Sequence, residues 1–235
     1  MRRLIYIPII HTDADMGSLA SELEQSTAAV CGEERWERHK ATASHFWQMV
    51  SDYLGTLDAK SLKVYQDGFV SDGDLGKKII EEGVRRGSKN YEIILNLLKR
   101  GAEIVATEDM ALLQEEYGHI SRIIKAKTPS QRVLAYKEYE SRKSQLTMER
   151  DRFIARTVNE TLEDGELGLL FIGAYHDVIP HLARDIMVEQ LKEREKVKAY
   201  FDELMYGADE SDFERLTWYL ISAVDPGVLS AYPKF

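Results

Sequence analysis

Short apolar runs alternate with long stretches of helical period along this chain. Residues 4–10 are apolar without a break and rich in branched side chains, which is typical of a strand buried on both faces. Similar short runs at 62–65, 102–107 and 167–172 predict three more strands. A fifth strand is expected around 197–200.

Helical periodicity fills the segments between these strands. The predicted helices cover about 17–57, 75–86, 90–100, 110–127 and 130–162, and a last amphipathic helix carries Phe213, Leu216, Leu220 and Val224. Short strands separated by long helices require crossover connections and a mainly parallel sheet. The pattern therefore predicts a helix-dominated α/β fold, with a small sheet flanked by long helices. We expect a single domain over 1–235, with a helical insertion near 17–57 and a helical C-terminal extension.

Composition narrows the class of protein. The chain has 235 residues, 44% of them hydrophobic, and 40 acidic against 31 basic residues give a net charge of -9. Such an anion binds nucleic acid and acidic membranes poorly, so neither is an expected partner. The single cysteine, Cys31, excludes an intramolecular disulfide and a multi-cysteine zinc site. Without a recognisable signal peptide or an uncharged stretch of roughly 18 residues, the chain is predicted to be soluble and cytoplasmic.

Chemically active residues follow each predicted strand. Ligands of open parallel sheets bind beyond the carboxyl ends of the strands, because those ends share one edge. The residues that follow the four strands are His11, Asp13 and Asp15, then Gln66 and Asp67, then Thr107, Glu108 and Asp109, then His176 and Asp177. Two histidines with several carboxylates can bind a divalent metal or form a general base with an orienting acid. Asp13, Asp15 and Asp109 are equally explained as loop residues or helix caps.

The fourth strand leads into a turn, Gly173-Ala174-Tyr175-His176, that predicts a site residue. Glycine permits a sharp exit from the strand and a close approach of the backbone to a ligand. His176 then stands at the end of the strand, where an acid bound to one ring nitrogen would select its tautomer.

Two charged residues continue an apolar helical stripe. Ile154, Val158 and Leu162 share a face of the long helix, and Arg150 and Asp151 extend that face by one turn. Charges placed there must be paired, because their desolvation costs several kcal/mol. Two interpretations remain open: an internal ion pair between helix and sheet, or an arginine that binds an anionic substrate group or orients a catalytic carboxylate.

Taken in order, these motifs resemble the superfamily that groups TraB/Tiki-type metalloproteases with ChaN-like and erythromycin-esterase-like proteins. The likeness consists of a histidine after the first strand, an acidic residue after an internal strand, an Arg-initiated helix segment, and a late G-x-x-H. Here these are His11, Asp67, Arg150 and Gly173 to His176, and they cover about a third of the chain.

The resemblance implies a hydrolase with one of two mechanisms. In the first, His11, His176, Asp67 and Glu108 hold a divalent ion such as Mn, Co or Zn, which activates water. In the second, one histidine is the general base, and Arg150 or the other histidine stabilises the oxyanion. His11, His176 and Arg150 are the predicted catalytic residues, whereas Asp67, Glu108 and Asp151 are predicted to bind substrate. No nucleotide cofactor is expected.

The leading hypothesis is therefore hydrolysis of an ester or amide bond in a small substrate. The alternatives are a non-catalytic protein that binds a small ligand or metal ion, and a scaffold whose site has decayed. Trp218 and Tyr219, beside the last apolar stripe, suggest either a homodimer contact or ordinary core packing.

Overall fold

The computed structural model describes residues 1–11, 27–207 and 209–224. A five-stranded parallel sheet forms its centre, in the order β3-β2-β4-β1-β5. The strands are β1 (Arg2–Ile9), β2 (Leu62–Gln66), β3 (Glu103–Val105), β4 (Leu167–Gly173) and β5 (Ile186–Gln190). Asp13, Asp15 and part of the predicted insertion near 17–57 lie outside the described residues.

Long helices connect the strands, as the sequence predicts. They are α1 (Glu33–Gly55), α2 (Gly73–Arg85), α3 (Lys89–Lys99), α4 (Met110–Ile124), α5 (Pro129–Thr161), α6 (Arg194–Tyr206) and α7 (Glu210–Ile221). Short 3-10 turns occupy Ala59–Ser61 and Ile179–His181. The helix-dominated α/β fold with a small parallel sheet is confirmed. Among the described helices, none has both the length and the hydropathy needed to cross a bilayer.

The fifth strand was predicted in the wrong place. Residues 197–200 belong to α6, whereas the strand that pairs with β1 is Ile186–Gln190. Val197, Tyr200 and Leu204 are buried, and their spacing of three and four residues is that of one helix face. The short apolar run 197–200 therefore reflects a helix face and not a strand.

The two faces of the sheet carry separate hydrophobic cores. Ile5, Ile7 and Ile9 of β1 point to a large core with side chains of α1, α2, α3, α6 and α7. Leu4 and Tyr6, which alternate with them, point to a smaller core on the opposite face. This alternation explains why β1 is apolar at every position from Leu4 to Ile9.

A single helix covers the second face. Ile154, Val158 and Leu162, in and just after α5, join the smaller core. Because α5 leads the chain back to the start of β4, it runs antiparallel to the strands. The helical turn just before Ile154 therefore lies at the carboxyl edge of the sheet. Arg150 and Asp151 lie in that turn and are both buried. The predicted continuation of the apolar stripe by these two charges is confirmed.

Alpha1 supplies a large part of the main core. Phe46, Trp47 and Val50 are buried in it, and the indole of Trp47 donates a hydrogen bond to the carbonyl of Ile10 over 2.9 Å. The described part of the predicted insertion therefore packs directly on the sheet. Trp218 of α7 is 71% exposed, whereas Tyr219 packs partly against the core.

His39 of α1 is buried within the same layer. Its Nδ1 lies 3.1 Å from the hydroxyl of Tyr200, and its ring stacks on Trp36 with centroids 4.9 Å apart. Burial lowers the pKa of His39 to about 4, because the charged imidazolium is poorly solvated there. His39 is therefore a neutral structural residue at physiological pH.

This histidine should make folding sensitive to acid. Between pH 6.5 and pH 4 the unfolded chain binds a proton at His39 that the folded chain does not, so the free energy of unfolding should fall as pH falls, by about 3 kcal/mol from this group. In a His39→Gln variant, which keeps hydrogen-bonding capacity but does not titrate, urea unfolding across this range should lose that contribution. His45→Gln, at an exposed position of the same helix, is the control. An unchanged pH dependence in His39→Gln would contradict the assignment.

Candidate functional site

The site begins where β2 and β4, neighbours in the sheet, end. The backbone N–H of Asp67 donates to the carbonyl of Phe171 over 2.8 Å, which extends the strand pairing to Asp67. Its Oδ2 accepts a hydrogen bond from the N–H of Gly173 over 3.1 Å. A Cβ at Gly173 would lie 3.3 Å from this oxygen, so the glycine permits the close approach. The sequence predicts a close approach of the Gly173 backbone to a ligand, whereas in the structure this backbone approaches the side chain of Asp67.

Glu108 reaches the same place through folded loops. The N–H groups of Thr107 and Glu108 both donate to the carbonyl of Phe69, over 2.7 and 3.0 Å. This pairing lays the loop after β3 against the loop after β2. The side chain of Glu108 is fully buried, and its Oε1 lies 3.4 Å from the N–H of Gly68. Two carboxylates from adjacent strands are therefore held together inside the protein.

Arg150 joins these carboxylates from the opposite side. Its Nη2 donates to Asp67 Oδ1 over 2.6 Å and to Glu108 Oε1 over 2.5 Å, and its Nε donates to Glu108 Oε2 over 3.2 Å. Its Nη1 binds Glu116 of α4. The guanidinium is 6% exposed, so it is a buried cation surrounded by three carboxylates. This geometry fits both earlier interpretations of Arg150, an internal ion pair and an arginine that orients carboxylates.

The ring of His176 lies between two carboxylates, those of Asp151 and Asp67. Its Nδ1 is 2.6 Å from Asp151 Oδ1, and its Nε2 is 3.5 Å from Asp67 Oδ2. The second oxygen of Asp151 accepts the backbone N–H of Asp177 over 2.9 Å. Asp151 therefore fixes the ring orientation and favours a proton on Nδ1. In this tautomer Nε2 faces Asp67.

The backbone of His176 is also anchored. Its carbonyl accepts a hydrogen bond from Arg194 Nη1 over 2.8 Å and lies 3.4 Å from the hydroxyl of Tyr6. Arg194 also pairs with Asp177 over 2.7 Å. Ring and backbone of His176 are therefore both held, which suits a group that must keep one orientation.

The pKa values of the two carboxylates move in opposite directions. Burial alone would raise the pKa of Asp67, but the charges of His176 and Arg150 outweigh burial and hold it well below its usual range. Burial raises the pKa of Glu108 to about 7, and the neighbouring charge of Asp67 adds to this effect against the opposing influence of Arg150. Asp67 therefore stays ionised near neutral pH while Glu108 readily holds a proton.

The same charges act on the histidine. Burial favours the neutral imidazole, but the charge of Asp67 and the hydrogen bond to Asp151 prevail and raise the pKa of His176 above its ordinary value. The imidazolium of His176 is therefore stabilised, as a base that takes up a proton during catalysis requires.

His11 is in a different environment. It adjoins His39, whose ring hydrogen-bonds with the backbone of His11. Its Nδ1 is buried and has no hydrogen-bond partner within the described ranges. No hydrogen bond or ion pair joins His11 to His176 in the part of the chain that the structure describes. The participation of His11 in the site stays a prediction.

The predicted metal ligands do not form a matching donor set. Oxygens of Asp67 and Glu108 already accept hydrogen bonds from Arg150, and Nδ1 of His176 is bound to Asp151. Among residues 1–11, 27–207 and 209–224, no group of three or more His, Cys, Asp or Glu side chains could hold an ion. Metal binding through His11, His176, Asp67 and Glu108 stays a prediction, and no step proposed below passes through a metal.

Three contributors to the network escaped the sequence analysis. Glu116 reaches Arg150 from α4 and accepts the Tyr139 hydroxyl over 3.1 Å, while Arg194 binds the backbone of His176. Glu116 and Tyr139 lie within helices, whereas Arg194 follows β5, the strand that the sequence predicts in the wrong place. Glu116 sits in α4 beside Tyr117, on an amphipathic helix whose pattern indicates only a solvent-facing glutamate.

A cleft of about 430 Å³ borders the site on the side of Asp151. It runs between α5 and the loop after β4, and its lining includes Thr147, Tyr175, Asp177 and His181. This volume suits a small organic molecule. A larger cleft, of about 770 Å³, lies beside the edge strand β3 and includes none of the predicted site residues.

Comparison with known proteins finds no matching family model, no similar curated protein and no similar solved structure. The family resemblance drawn from the motifs therefore stays a prediction, and the site must be interpreted from its own geometry.

Arg150 should be the residue on which the site most depends. Replacing it in Arg150→Leu leaves the carboxylates of Asp67, Glu108 and Glu116 without their shared cation, and we expect the free energy of unfolding at pH 7.5 to fall by about 3–5 kcal/mol. Urea unfolding followed by circular dichroism measures the change. Arg152→Leu, two positions along the same helix and exposed, should change stability by only about 0.5 kcal/mol. Equal effects of the two substitutions would show that the buried network stabilises nothing.

Proposed function

We propose that the protein is a hydrolase that cleaves an ester or amide bond of a small substrate, with His176 as general base. The observation that carries this proposal is the placement of His176 between Asp151, at 2.6 Å from Nδ1, and Asp67, at 3.5 Å from Nε2. A histidine oriented by a buried carboxylate is the arrangement that activates water or a hydroxyl for attack on a carbonyl.

The chemistry begins with a water molecule at Nε2. His176 takes a proton from this water as the oxygen attacks the carbonyl carbon of the substrate. Asp151 remains ionised and stabilises the imidazolium that forms, since it holds Nδ1 over 2.6 Å. The imidazolium then returns the proton to the leaving alcohol or amine, and the neutral base is restored.

Asp67 and Arg150 have different parts in this proposal. Asp67 is ionised and adjacent to Nε2, so it orients the attacking water and favours the imidazolium. Arg150 binds three carboxylates and its side chain is only 6% exposed, so it is a positioning residue for Asp67. Glu108 is fully buried and holds a proton near neutral pH, which limits the negative charge next to Asp67.

We propose that the substrate approaches from the cleft beside Asp151, although His176 itself is not part of the lining of this cleft. Tyr175 and Asp177, the two neighbours of His176 in sequence, both line it. Its volume of about 430 Å³ suits a molecule of small-metabolite size more than a folded protein.

A binding protein without turnover is the second candidate. The contacts with Asp151 and Asp67 that orient His176 also provide partners for both of its ring nitrogens, and the Arg150 side chain is only 6% exposed. A rigid, fully paired network of this kind is also found in purely structural sites. The following experiment separates the two functions.

Hydrolysis of a panel of p-nitrophenyl esters and amino-acid anilides should depend on His176 and Asp151. We expect His176→Gln to lower kcat/KM by about 100- to 10,000-fold. For the wild type, kcat/KM should rise with pH through a pKa above 6.5, because the base acts only when neutral. In Asp151→Asn the increase of the residual kcat/KM with pH should occur at a lower pH than in wild type, because the substitution removes an interaction that raises the pKa of His176.

His45→Gln is the matched control, since His45 lies on an exposed face of α1. It should keep wild-type activity. Equal activity of wild type and His176→Gln on every substrate hydrolysed would refute the proposal. Absence of turnover in the wild type, together with a small ligand or ion that is retained by the wild type and lost in folded His176→Gln, would establish the binding protein instead.

A further inference from the structure

Helix α4 and the first half of α5 form a hairpin outside both hydrophobic cores. No residue between 106 and 153 belongs to either core cluster. The first buried residue of α5 is Leu146, seventeen residues after the helix begins at Pro129. At 1.5 Å per residue this part of α5 is about 25 Å long. Residues 110–145 are called the arm below, and residues 117–137 its tip.

Polar contacts, more than a shared core, hold the arm together. Arg142 of α5 binds both oxygens of Glu115 over 2.7 and 3.1 Å, and Arg122 of α4 binds Glu138 over 3.2 Å. Alpha4 has one buried residue, Ser121. The apolar residues of α4 are partly buried and belong to neither core, and Met110 and Tyr117 are each 50% exposed.

The charge of the tip is opposite to that of the protein. Residues 117–137 contain five basic residues, Arg122, Lys125, Lys127, Arg132 and Lys137, and no Asp or Glu. The whole chain carries -9, so the residues outside the tip together carry -14. The expectation that this protein avoids anionic partners treats its charge as evenly spread, which it is not.

Four of these cations are free to bind a partner. Arg122 pairs with Glu138, whereas Lys125, Lys127, Arg132 and Lys137 are exposed and have no ion pair with any described residue. Every residue from 127 to 134 is exposed. The turn between the two helices and the first turns of α5 therefore present unpaired positive charge.

Large apolar side chains are exposed among these cations. Tyr117, Val133, Leu134 and Tyr136 are each exposed by half or more. Aliphatic and tyrosine side chains interleaved with lysine and arginine, at the end of a projecting helix pair, match what a protein inserts into the headgroup region of a membrane.

We propose that the tip of the arm binds the surface of an anionic lipid bilayer. Lys125, Lys127, Arg132 and Lys137 would contact headgroup phosphates, while Val133 and Leu134 enter the boundary with the acyl chains. The exposed valine and leucine favour lipid over nucleic acid, because nucleic acids offer planar bases and phosphates and little aliphatic surface.

The length of the arm makes this compatible with an acidic protein. Charges in physiological salt are screened over about 8 Å, whereas α5 runs about 25 Å from Leu146 to Pro129 at the end of the tip, and about 14 Å from Leu146 to Lys137. The acidic remainder therefore repels a membrane weakly at the distance at which the tip touches it.

Flotation of the full-length protein with vesicles tests the proposal. Binding should be strong to vesicles of phosphatidylcholine with 30% phosphatidylglycerol, weak to pure phosphatidylcholine, and reduced as salt increases from 50 to 500 mM. Because each cation at an anionic surface strengthens binding about fivefold, changing Lys125, Lys127, Arg132 and Lys137 to Gln together should weaken it by about 100-fold or more. Val133→Ser with Leu134→Ser should weaken it about tenfold without changing the charge.

A variant with four other exposed lysines changed to Gln is the matched control: Lys60, Lys77, Lys78 and Lys99. It alters net charge equally and should bind vesicles at least half as well as wild type. Equal loss in the two quadruple variants would overturn the proposal. The absence of binding to anionic vesicles would also overturn it. In that case, binding of the tip to duplex DNA or RNA, or association of two copies of the chain in solution, would identify a different partner. Circular dichroism of each variant verifies that it is folded.

Discussion

One buried guanidinium connects the parts of this protein that bear chemistry. Arg150 binds Asp67 at the end of β2, Glu108 in the loop after β3, and Glu116 on α4. These contacts come from a helix that the smaller core fixes against the sheet. Because a buried arginine must be paired, and each carboxylate beside it must also be paired, the four groups hold one another in place. The position of Asp67 beside His176 depends on this arrangement.

Two of its carboxylate partners differ in proton affinity. Asp67 lies close to two cations and loses its proton readily, whereas Glu108 is buried more deeply and keeps a proton up to about pH 7. Carboxylates with such different proton affinities are characteristic of acid–base sites. His176 adds a third titrating group, whose ring Asp151 orients. The site therefore combines an acid whose pKa is lowered, an acid whose pKa is raised to about 7 and a histidine whose pKa is raised.

Much of this could be predicted from the pattern of residues. The strand ends indicated Asp67, Glu108 and His176, and helical spacing from Ile154 indicated that Arg150 is buried, because both rules depend on local geometry that the fold preserves. Glu116 could not be predicted, since its contact with Arg150 requires the return of a helix 34 residues away. For the same reason, the sequence does not reveal that the apolar face of α4 lies outside the core. The fifth strand was misplaced because four apolar residues do not distinguish a strand from a helix face.

The central claim is that Asp151 and Asp67 hold His176 in one tautomer and raise its pKa above the ordinary value. Long-range 15N–1H NMR of the full-length protein, with the His176 resonances assigned by their loss in His176→Gln, tests it most directly. We predict that Nδ1 keeps its proton throughout the titration, that Nε2 alone changes state, and that the midpoint lies above pH 6.5 in wild type and lower in Asp151→Asn. Deprotonation at Nδ1, or a midpoint at or below 6.5 that Asp151→Asn does not move, would contradict the account.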